Sequence, residues 1–194
     1  THIHVSLIDQ QGRNLFASED DQGLGSALLR QAVAGVLALM PESMVVFAPN
    51  ANSYRRFQPG FYVPMSQTWG ADNRTVAVRI PGGSAEARRL EHRVAGADAN
   101  PYLLVASILA GIHLGISQRL SPPAPVTGNA YASHPPSLPN SWIQALDQWQ
   151  RNEVLPSYLG AEFCRVYHAN RYGERQLFMR HVSSQEYDWY LRSV

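Results

Sequence analysis

The sequence predicts an α+β fold, in which a mostly antiparallel sheet is backed by helices and followed by a helical C-terminal segment. Three observations predict it. Apolar and polar side chains alternate with a period of two in three short stretches between residues 1 and 94. Apolar stripes with helical spacing lie between and after these stretches. Six prolines then occur between residues 121 and 139, and the pattern beyond them is helical again.

Composition limits the function classes. The 194 residues are 45% hydrophobic, which is enough for a substantial core, and no apolar run is long enough to span a bilayer. The net charge of +1 provides no general attraction to nucleic acid or to a membrane surface. The single cysteine, Cys164, excludes an internal disulfide framework, and with no signal-peptide pattern we expect a cytoplasmic protein. All 16 basic residues are arginine, so this chain offers no lysine for a phosphate loop or a Schiff base.

Residues 1–7 predict the first strand. Polar and apolar side chains fall on opposite faces, in the order His2, Ile3, His4, Val5, Ser6, Leu7. Two histidines two residues apart have the spacing of metal ligands or phosphate contacts, and an ordinary polar strand face is the alternative. A turn at 9–12 and a short return strand at 14–17 follow. Because Thr1 opens directly into a strand, we expect the chain to be the later part of a longer protein.

Two helices and a loop come next. Residues 24–39 predict a helix with one apolar stripe that packs in the core, formed by Leu28, Ala32, Gly35, Val36 and Leu39. A shorter helix is expected at 41–47. Residues 49–64 are rich in Asn, Pro and Gly and predict a loop that carries Arg55 and Arg56. Loops on a rigid scaffold commonly hold ligand contacts, so this pair is a candidate for binding.

Positive charge is concentrated in one part of the sequence. Seven arginines lie between residues 55 and 93, namely Arg55, Arg56, Arg74, Arg79, Arg88, Arg89 and Arg93. Asp72 is the only acidic residue from Ser43 to Ala85. A local positive field in a chain of near-neutral charge indicates an anionic ligand, which guanidinium groups bind through paired hydrogen bonds.

Two alternating stretches, 75–80 and 88–94, flank a Pro-Gly-Gly sequence and predict an antiparallel hairpin. The hairpin would place four charged side chains on one face, namely Arg79, Arg89, Glu91 and Arg93. A carboxylate held between guanidiniums stays ionised and suits a cation or an anionic ligand. For the second stretch alone, the ordinary alternative is the solvated charged face of an edge strand.

The rest of the chain is predicted to be largely helical. Asn100 and Pro101 begin a helix that runs to about Arg119 and is apolar almost all round, which is typical of a buried helix. Residues 121–139 predict a linker or a surface loop. Further helices are expected at 142–152, at roughly 159–182 and at 184–191, the last capped by Ser183 or Ser184.

These patterns divide the chain into three units. We expect a sheet with buried helices at 1–119, a proline-rich linker at 120–140 and a helical segment at 141–194. The aromatic residues of the third unit are interpreted as its packing face, with an aromatic cage or a nucleic-acid stacking platform as the alternative. They are Trp142, Trp149, Tyr158, Phe163, Tyr167, Phe178, Tyr187, Trp189 and Tyr190.

Five blocks of sequence, in the same order, resemble the C-terminal half of a glutamine synthetase-family enzyme. They are His2-Ile3-His4-Val5-Ser6-Leu7, Asn52-Ser53-Tyr54-Arg55-Arg56 with Pro59-Gly60, Asn73-Arg74 with Val78-Arg79-Ile80-Pro81, Arg88-Arg89-Leu90-Glu91-His92-Arg93, and Ala99-Asn100-Pro101-Tyr102. The resemblance implies an ATP-dependent γ-glutamyl ligase. In such an enzyme ATP phosphorylates the side-chain carboxylate of glutamate, and an amine then displaces phosphate.

The resemblance also implies a metal and a nucleotide site. His2 and Glu91 resemble ligands of the metal that bridges the phosphates, and carboxylate with imidazole is a donor set that Mg²⁺ or Mn²⁺ accepts. His4 and Ser6, on the same strand, resemble the pair that contacts ATP.

Four arginines resemble substrate contacts of the family. Arg74 and Arg79 correspond to the catalytic groups that bind ATP and neutralise charge on the transferred phosphoryl group. Arg56 and Arg93 correspond to the groups that bind the glutamate carboxylates.

One position departs from the pattern of the ammonia-using members. Where those have a glutamate in a flap over the site, shortly after the Pro-Gly, this chain has Tyr62. That glutamate is expected to help accept a proton from ammonium, so Tyr62 is a candidate for the site of a larger amine. The surrounding sequence resembles γ-glutamylpolyamine synthetases, whose substrates include putrescine and spermidine.

The resemblance further implies that the small N-terminal β-grasp domain and the first half of the catalytic domain would precede Thr1. We therefore expect the 194-residue chain to be inactive alone, and the full-length protein to form a homo-oligomeric ring. Three alternatives remain at this stage. They are a glutamine synthetase that uses ammonia, a non-catalytic relative, and a metal-dependent hydrolase with His2 and His4 as ligands.

Overall fold

The fold is known from a computed structural model, which describes residues 1–18, 23–58 and 60–193. Pro59 of the Pro-Gly sequence and Val194 of the helical segment therefore lie outside the described residues. In chain order the elements are β1 (Ile3–Val5), α1 (Ala27–Leu39), α2 (Met44–Phe47), a 3₁₀ helix (Ala51–Arg56), β2 (Trp69–Ala71), β3 (Val78–Ile80), β4 (Leu90–His92), α3 (Pro101–Ser117), α4 (Ala130–Ser133), α5 (Trp142–Gln150), α6 (Leu155–Leu159), α7 (Ala161–Met179) and α8 (Ser184–Tyr190).

The sheet has four short strands in the order β1-β4-β3-β2. β4 pairs antiparallel with both β1 and β3, so the predicted hairpin is confirmed. β2 was not predicted, and it pairs parallel with β3. The sheet is therefore mixed, with two antiparallel pairs and one parallel pair, and β1, β3 and β4 are each shorter than their sequence patterns predicted.

Helices α1 and α3 cross at unusually close range. A Cβ atom on Gly35 would lie 2.0 Å from the carbonyl oxygen of Gly111, and one on Gly115 would lie 2.8 Å from the Gly35 nitrogen. Only glycine allows two helix backbones to approach this closely. Both helices begin at polar caps, because the side chains of Ser26 and Asn100 accept hydrogen bonds from backbone N–H groups of the first turn.

The helices enclose one large apolar core with the sheet. The prediction that α3 is buried almost all round is wrong for one face, where Tyr102, Val105 and Leu109 are exposed. The prediction of an irregular 49–64 loop needs a correction as well, because it contains the 3₁₀ helix. The Asn50 side chain caps that helix.

The proline-rich stretch lies against the open edge of the sheet. The Val126 N–H donates to the Trp69 carbonyl of β2 at 2.8 Å. The Asn73 side-chain amide donates to the carbonyls of Val126 and Gly128, at 3.1 and 2.8 Å. These bonds fix residues 126–128 beside the loop that follows β2.

The C-terminal helices pack on the core in part. Trp149 is buried and its indole N–H donates to the Cys164 carbonyl at 3.0 Å, while the Tyr167 hydroxyl donates to the Val45 carbonyl at 3.3 Å. The packing interpretation is wrong for the far end of this segment, where the aromatic side chains are mostly exposed, as for Phe178, Tyr187, Trp189 and Tyr190. α8 has no buried residue, because no other described element covers its apolar side. No helix in the described part of the chain is long and apolar enough to cross a membrane.

Candidate active site

The candidate site is built around Glu91, in the middle of the sheet. β4 lies between β1 and β3, and Glu91 is directly opposite His4 on one side and Arg79 on the other. Because side chains alternate along a strand, this register brings Arg79, Glu91 and Arg93 together. The Glu91 side chain is only 2% exposed and Arg93 only 5%. The interpretation of this strand as a solvated charged face is therefore wrong.

Three side chains contact the Glu91 carboxylate. Arg93 Nη1 donates to Oε1 at 2.7 Å, and His2 Nδ1 lies 2.9 Å from the same oxygen. Arg79 Nη1 donates to Oε2 at 2.9 Å. Burial raises the pKa of Glu91, but the hydrogen bond from Arg79 and the charges of Arg93 and Arg79 outweigh it and keep this pKa below its usual range. The carboxylate is therefore ionised at neutral pH.

His2 is neutral in this setting. Burial and the positive charge of Arg93 lower the pKa of His2, although Glu91 acts in the opposite direction. A neutral imidazole is the form that binds a metal ion.

A cavity of about 460 Å³ opens in front of these groups, and six of the predicted site residues line it. They are His2, Tyr62, Arg74, Arg79, Glu91 and Arg93. Three guanidiniums against one carboxylate make the cavity positive, which suits a phosphate or carboxylate ligand. Arg93 also fixes the loop that carries Arg74, because its Nη2 donates to the Arg74 carbonyl at 3.1 Å.

The other predicted site residues lie outside this cavity. His4 is exposed on β1, and its Nδ1 accepts a hydrogen bond from Arg89 Nε at 3.1 Å. Ser6 is exposed just beyond β1. Arg56 lines a separate cavity of about 440 Å³, together with Arg55 and other residues of the 3₁₀ helix and of the loop after β4. The Arg56 guanidinium donates to the Val94 carbonyl.

His2 and Glu91 fit a hard divalent cation as a partial ligand set. One carboxylate and one neutral imidazole, with Nδ1 and Oε1 2.9 Å apart, offer donors that Mg²⁺ or Mn²⁺ accepts. Among residues 1–18, 23–58 and 60–193, however, no group of three or more His, Cys, Asp or Glu side chains would hold a metal ion. These two residues would therefore need further ligands from outside that part of the chain.

Tyr62 stands at the edge of the cavity. Its side chain is 65% exposed, and its backbone adopts a left-handed conformation with φ +53°, which is unusual for a bulky residue. Gly60, two residues earlier, is also left-handed. The loop thus presents an aromatic ring to the cavity at the place where the ammonia-using members of the family that the sequence resembles have a glutamate.

Sequence reasoning missed three residues at the site. Arg89 was expected on the charged face of its strand, but its hydrogen bond to His4 across the β1–β4 pairing was not predicted. Asp72 forms an ion pair with the second arm of Arg79, and its isolation among arginines was a usable signal. Tyr131 carries a hydroxyl that is buried without a hydrogen-bond partner in the described part of the chain, near Arg93. Its place in the proline-rich stretch gave no signal.

His92 lies on the opposite face of β4 and is not part of the site. Its side chain is fully buried, and its ring packs on Phe47 with centroids 4.5 Å apart. Neither ring nitrogen has a hydrogen-bond partner among the described residues. Burial and the charge of Arg56 lower the pKa of His92 to about 3, so this ring is neutral in the folded protein.

Comparison with known proteins gives consistent matches. The family model described as glutamine synthetase, catalytic domain, matches residues 1–190. Gamma-glutamylputrescine synthetase PuuA of Escherichia coli (strain K12) is 45% identical over 193 residues, which cover all of this chain and 40% of that protein. Gamma-glutamylethanolamide synthetase GlnA4 of Streptomyces coelicolor (strain ATCC BAA-471 / A3(2) / M145) is 39% identical, covering 98% of this chain and 40% of that protein. The chain therefore spans about 40% of the length of these curated relatives.

Two solved structures share the fold. One is apo GmaS without ligand, with a TM-score of 0.85 and 29% sequence identity. The match covers 98% of this chain and 44% of the GmaS chain. The other is a GmaS/ADP complex, with a TM-score of 0.86 and 28% sequence identity. The match covers 98% of this chain and 45% of the GmaS chain. These matches confirm the α+β fold class that the sequence predicted.

Proposed function

We propose that this chain, which belongs to the glutamine synthetase family, is the C-terminal part of the catalytic domain of an ATP-dependent γ-glutamyl ligase. The observation that carries this proposal is the buried Glu91 carboxylate, held by Arg79, Arg93 and His2 in front of a positive cavity. An ionised carboxylate beside several guanidiniums suits a divalent cation together with an anionic substrate.

The reaction would proceed in two steps. First, an oxygen of the glutamate side-chain carboxylate attacks the γ-phosphorus of ATP, and ADP leaves. Second, the nitrogen of a neutral amine attacks the carbonyl carbon of the γ-glutamyl phosphate, phosphate leaves from that carbon, and the nitrogen loses a proton. Both steps shift negative charge onto phosphate oxygens, so positive groups fixed beside them lower the barrier.

Each residue has a role in this scheme. Arg74 and Arg79 would neutralise the transferred phosphoryl group and help to bind ATP. Arg93 would bind a carboxylate of glutamate, and Arg56 would join it from the neighbouring cavity. A divalent metal, when bound by His2 and Glu91, supplies charge neutralisation at the phosphates.

The nucleotide would reach the site along β1. His4 and Ser6 are on its exposed face, and Arg89 extends the same surface beside His4. Their exposure supports a role in contacting ATP, because a ligand could reach these groups without rearrangement of the core.

For the amine, we favour a polyamine over ammonia. The support is Tyr62, which offers an exposed ring at the cavity in place of a proton-accepting carboxylate. Relatives named for putrescine and for ethanolamide are 45% and 39% identical, compared with 37% for type-1 glutamine synthetase 2 of Dictyostelium discoideum and 31% for the glutamine synthetase of Clostridium saccharobutylicum. Glutamine synthetase activity is the second candidate, and a homo-oligomeric ring is part of the proposal for the full-length protein.

Phosphate release tests this function. The full-length protein is incubated with ATP, Mg²⁺ and glutamate together with ammonium, putrescine, spermidine or ethanolamine, and the released phosphate is measured. We expect release that depends on a polyamine, and none from the 194-residue chain alone, because His2 and Glu91 do not complete a metal site. Release with ammonium alone would identify a glutamine synthetase. Absence of phosphate release with every amine would favour a non-catalytic relative.

The variant Arg79→Gln tests the role of this residue in the same assay. Loss of one fixed donor to a transferred group costs about 10²-fold in kcat or more. Unchanged turnover in Arg79→Gln would contradict the role proposed for this residue.

A further inference from the structure

Asp72 holds an unusual place beside the candidate site. It directly follows β2, and its N–H donates to the Ile80 carbonyl at 2.9 Å, which extends the β2–β3 pairing. Its backbone is left-handed, with φ +46°. Its carboxylate forms an ion pair with Arg79, and its side chain is 67% exposed. One carboxylate in an arginine-rich region is thus held by its backbone beside β3 and is paired with Arg79.

Arg79 is consequently held by both arms of its guanidinium. Nη1 donates to Glu91 Oε2 at 2.9 Å, and Nη2 donates to Asp72 Oδ1. The side chain is 17% exposed, so the guanidinium lies at the cavity wall rather than in bulk water. Two carboxylates on two arms fix both the position and the plane of the group, which a single partner would not do.

We propose that Asp72 is a positioning residue that acts through Arg79. It holds the guanidinium in the orientation required for the phosphoryl group and keeps Nη2 from turning towards Glu91. Without Asp72, the free arm would be attracted to the Glu91 carboxylate, which Arg79 already contacts through Nη1. This inference rests on the proposed function, in which Arg79 neutralises the transferred phosphoryl group.

The charge balance supports the same role. Arg74, Arg79 and Arg93 line the cavity, and among the described residues that line it Glu91 alone carries a carboxylate. Asp72 contacts Arg79 from outside that lining, and it lines a neighbouring cavity of about 690 Å³ that Arg74 also lines, so it neutralises charge without entering the cavity in front of Glu91. The pKa of Asp72 is lowered by the hydrogen bond and charge of Arg79, which keeps the carboxylate ionised at neutral pH.

Three substitutions in the full-length protein test the proposal. Asp72→Asn removes the charge and Asp72→Gly removes the side chain, and both residues tolerate a left-handed backbone. Asp72→Glu keeps the charge. We expect kcat to fall about ten-fold in the first two variants, because a small misplacement of a catalytic group is costly. We expect the KM for glutamate to stay within about two-fold, since Arg56 and Arg93 are untouched, and Asp72→Glu to recover part of kcat.

ATP binding measured by calorimetry provides a readout that does not need turnover. We expect Asp72→Asn to weaken ATP about three-fold, in the same direction as Arg79→Gln. Asp9→Asn is the matched control, because Asp9 forms a similar ion pair with Arg13 in the turn after β1, away from the cavity.

The outcomes separate the two proposals. If the wild-type protein binds ATP but joins no amine to glutamate, the ligase function fails, and the calorimetric comparison still decides the role of Asp72. Equal kcat and equal ATP affinity in Asp72→Asn and wild type would overturn the positioning role. A parallel loss of glutamate affinity would also overturn it, because it would indicate general damage to the site. Absence of ATP binding in the wild type would overturn both proposals.

Discussion

At the scale of single residues, Glu91 has little freedom to change. It is buried with two guanidiniums, and removal of one partner from a buried ion pair leaves uncompensated charge. Its lowered pKa has a direct consequence for stability. Since the folded state holds the carboxylate ionised more strongly than the unfolded chain, the stabilisation is present above the unfolded pKa and is lost as pH falls through the folded pKa.

We therefore predict that Glu91→Gln lowers the free energy of unfolding by about 3 kcal/mol at pH 7. Its penalty relative to wild type should shrink as pH falls below the unfolded pKa of about 4.3, because the unfolded wild-type chain then takes up a proton that the folded state does not. Urea titrations at pH 7 and at lower pH measure both effects. The control is Glu162→Gln, which removes an exposed pair with Arg165 and should leave stability unchanged within error. A Glu91→Gln variant as stable as wild type at pH 7 would contradict the prediction.

His92 gives a second prediction about pH and stability, for a side chain that is neutral in the folded protein rather than ionised. In the unfolded chain this histidine takes up a proton near pH 6.5, whereas burial keeps it neutral in the folded protein down to about pH 3. The folded state therefore loses stability as pH falls below 6.5, by about 1.4 kcal/mol per pH unit. At pH 5 the loss amounts to about 2 kcal/mol.

His92→Leu, a change to an apolar side chain of similar volume, should remove this part of the pH dependence and leave stability at pH 7 within about 1.5 kcal/mol of wild type. Denaturant unfolding at pH 7, 6 and 5 tests it. His134→Leu, at an exposed histidine, is the control and should keep the wild-type slope. An unchanged slope in His92→Leu would show that other groups cause the acid sensitivity.

At the scale of elements, the crossing of α1 and α3 depends on glycine. A methyl group on Gly35 would lie 2.0 Å from the Gly111 carbonyl oxygen and 2.4 Å from the Gly115 nitrogen, so the helices must move apart. We predict that Gly35→Ala lowers the free energy of unfolding by at least about 2 kcal/mol.

Gly173→Ala is the matched control, because Gly173 also lies within a helix but a Cβ there meets nothing within 4 Å. It should raise stability by up to about 1 kcal/mol through helix propensity. Chemical denaturation of both variants decides the matter. Equal effects would mean that the close crossing is not required.

The elements also show what sequence reasoning can reach. Alternation and turn chemistry were sufficient for the β3–β4 hairpin, because register follows from the period of two. Asn100 and Pro101 located the start of α3, whereas the helix predicted from residue 24 in fact begins at Ala27, after the Ser26 cap. β2 has three residues without a usable pattern, and its neighbours come from β3 and from the proline-rich stretch far along the chain. Nothing local marks such a strand.

The candidate site divides in the same way. The charged face of the hairpin followed from local pattern, and the identities of His2 and Glu91 as neighbours followed only from the family resemblance. That Arg56 lines a separate cavity could not be predicted, because the course of a loop depends on tertiary contacts such as its hydrogen bond to Val94. Asp72 was visible as an isolated acid, but its partner became clear only from the parallel pairing of β2.

At the scale of the whole molecule, the C-terminal helices differ in how much they contribute. α7 buries Cys164 and supports Trp149, whereas α8 buries nothing. We predict that deletion of residues 183–194 leaves the Tm of the chain unchanged within error. Deletion from Gly160 onwards should lower the Tm by about 5 °C or more, because it uncovers the core.

A hydrophobic dye provides a second readout for these truncations. α8 and the residue after it expose Tyr187, Trp189, Tyr190 and Leu191. The shorter deletion should therefore reduce dye binding, and the longer one should increase it. Unfolding of the chain by the shorter deletion would show that α8 stabilises the core after all.

The pairing of β1 with β4 has a consequence for the order in which the molecule forms. Val5 lies opposite Leu90, 85 positions along the chain. Ribosomes add about 5–20 residues per second, so roughly 4 to 17 s pass between synthesis of the two strands. During that interval β1 has no partner in this sheet, and His2 has no carboxylate beside it. Assembly of the site therefore cannot precede the emergence of the hairpin from the ribosome.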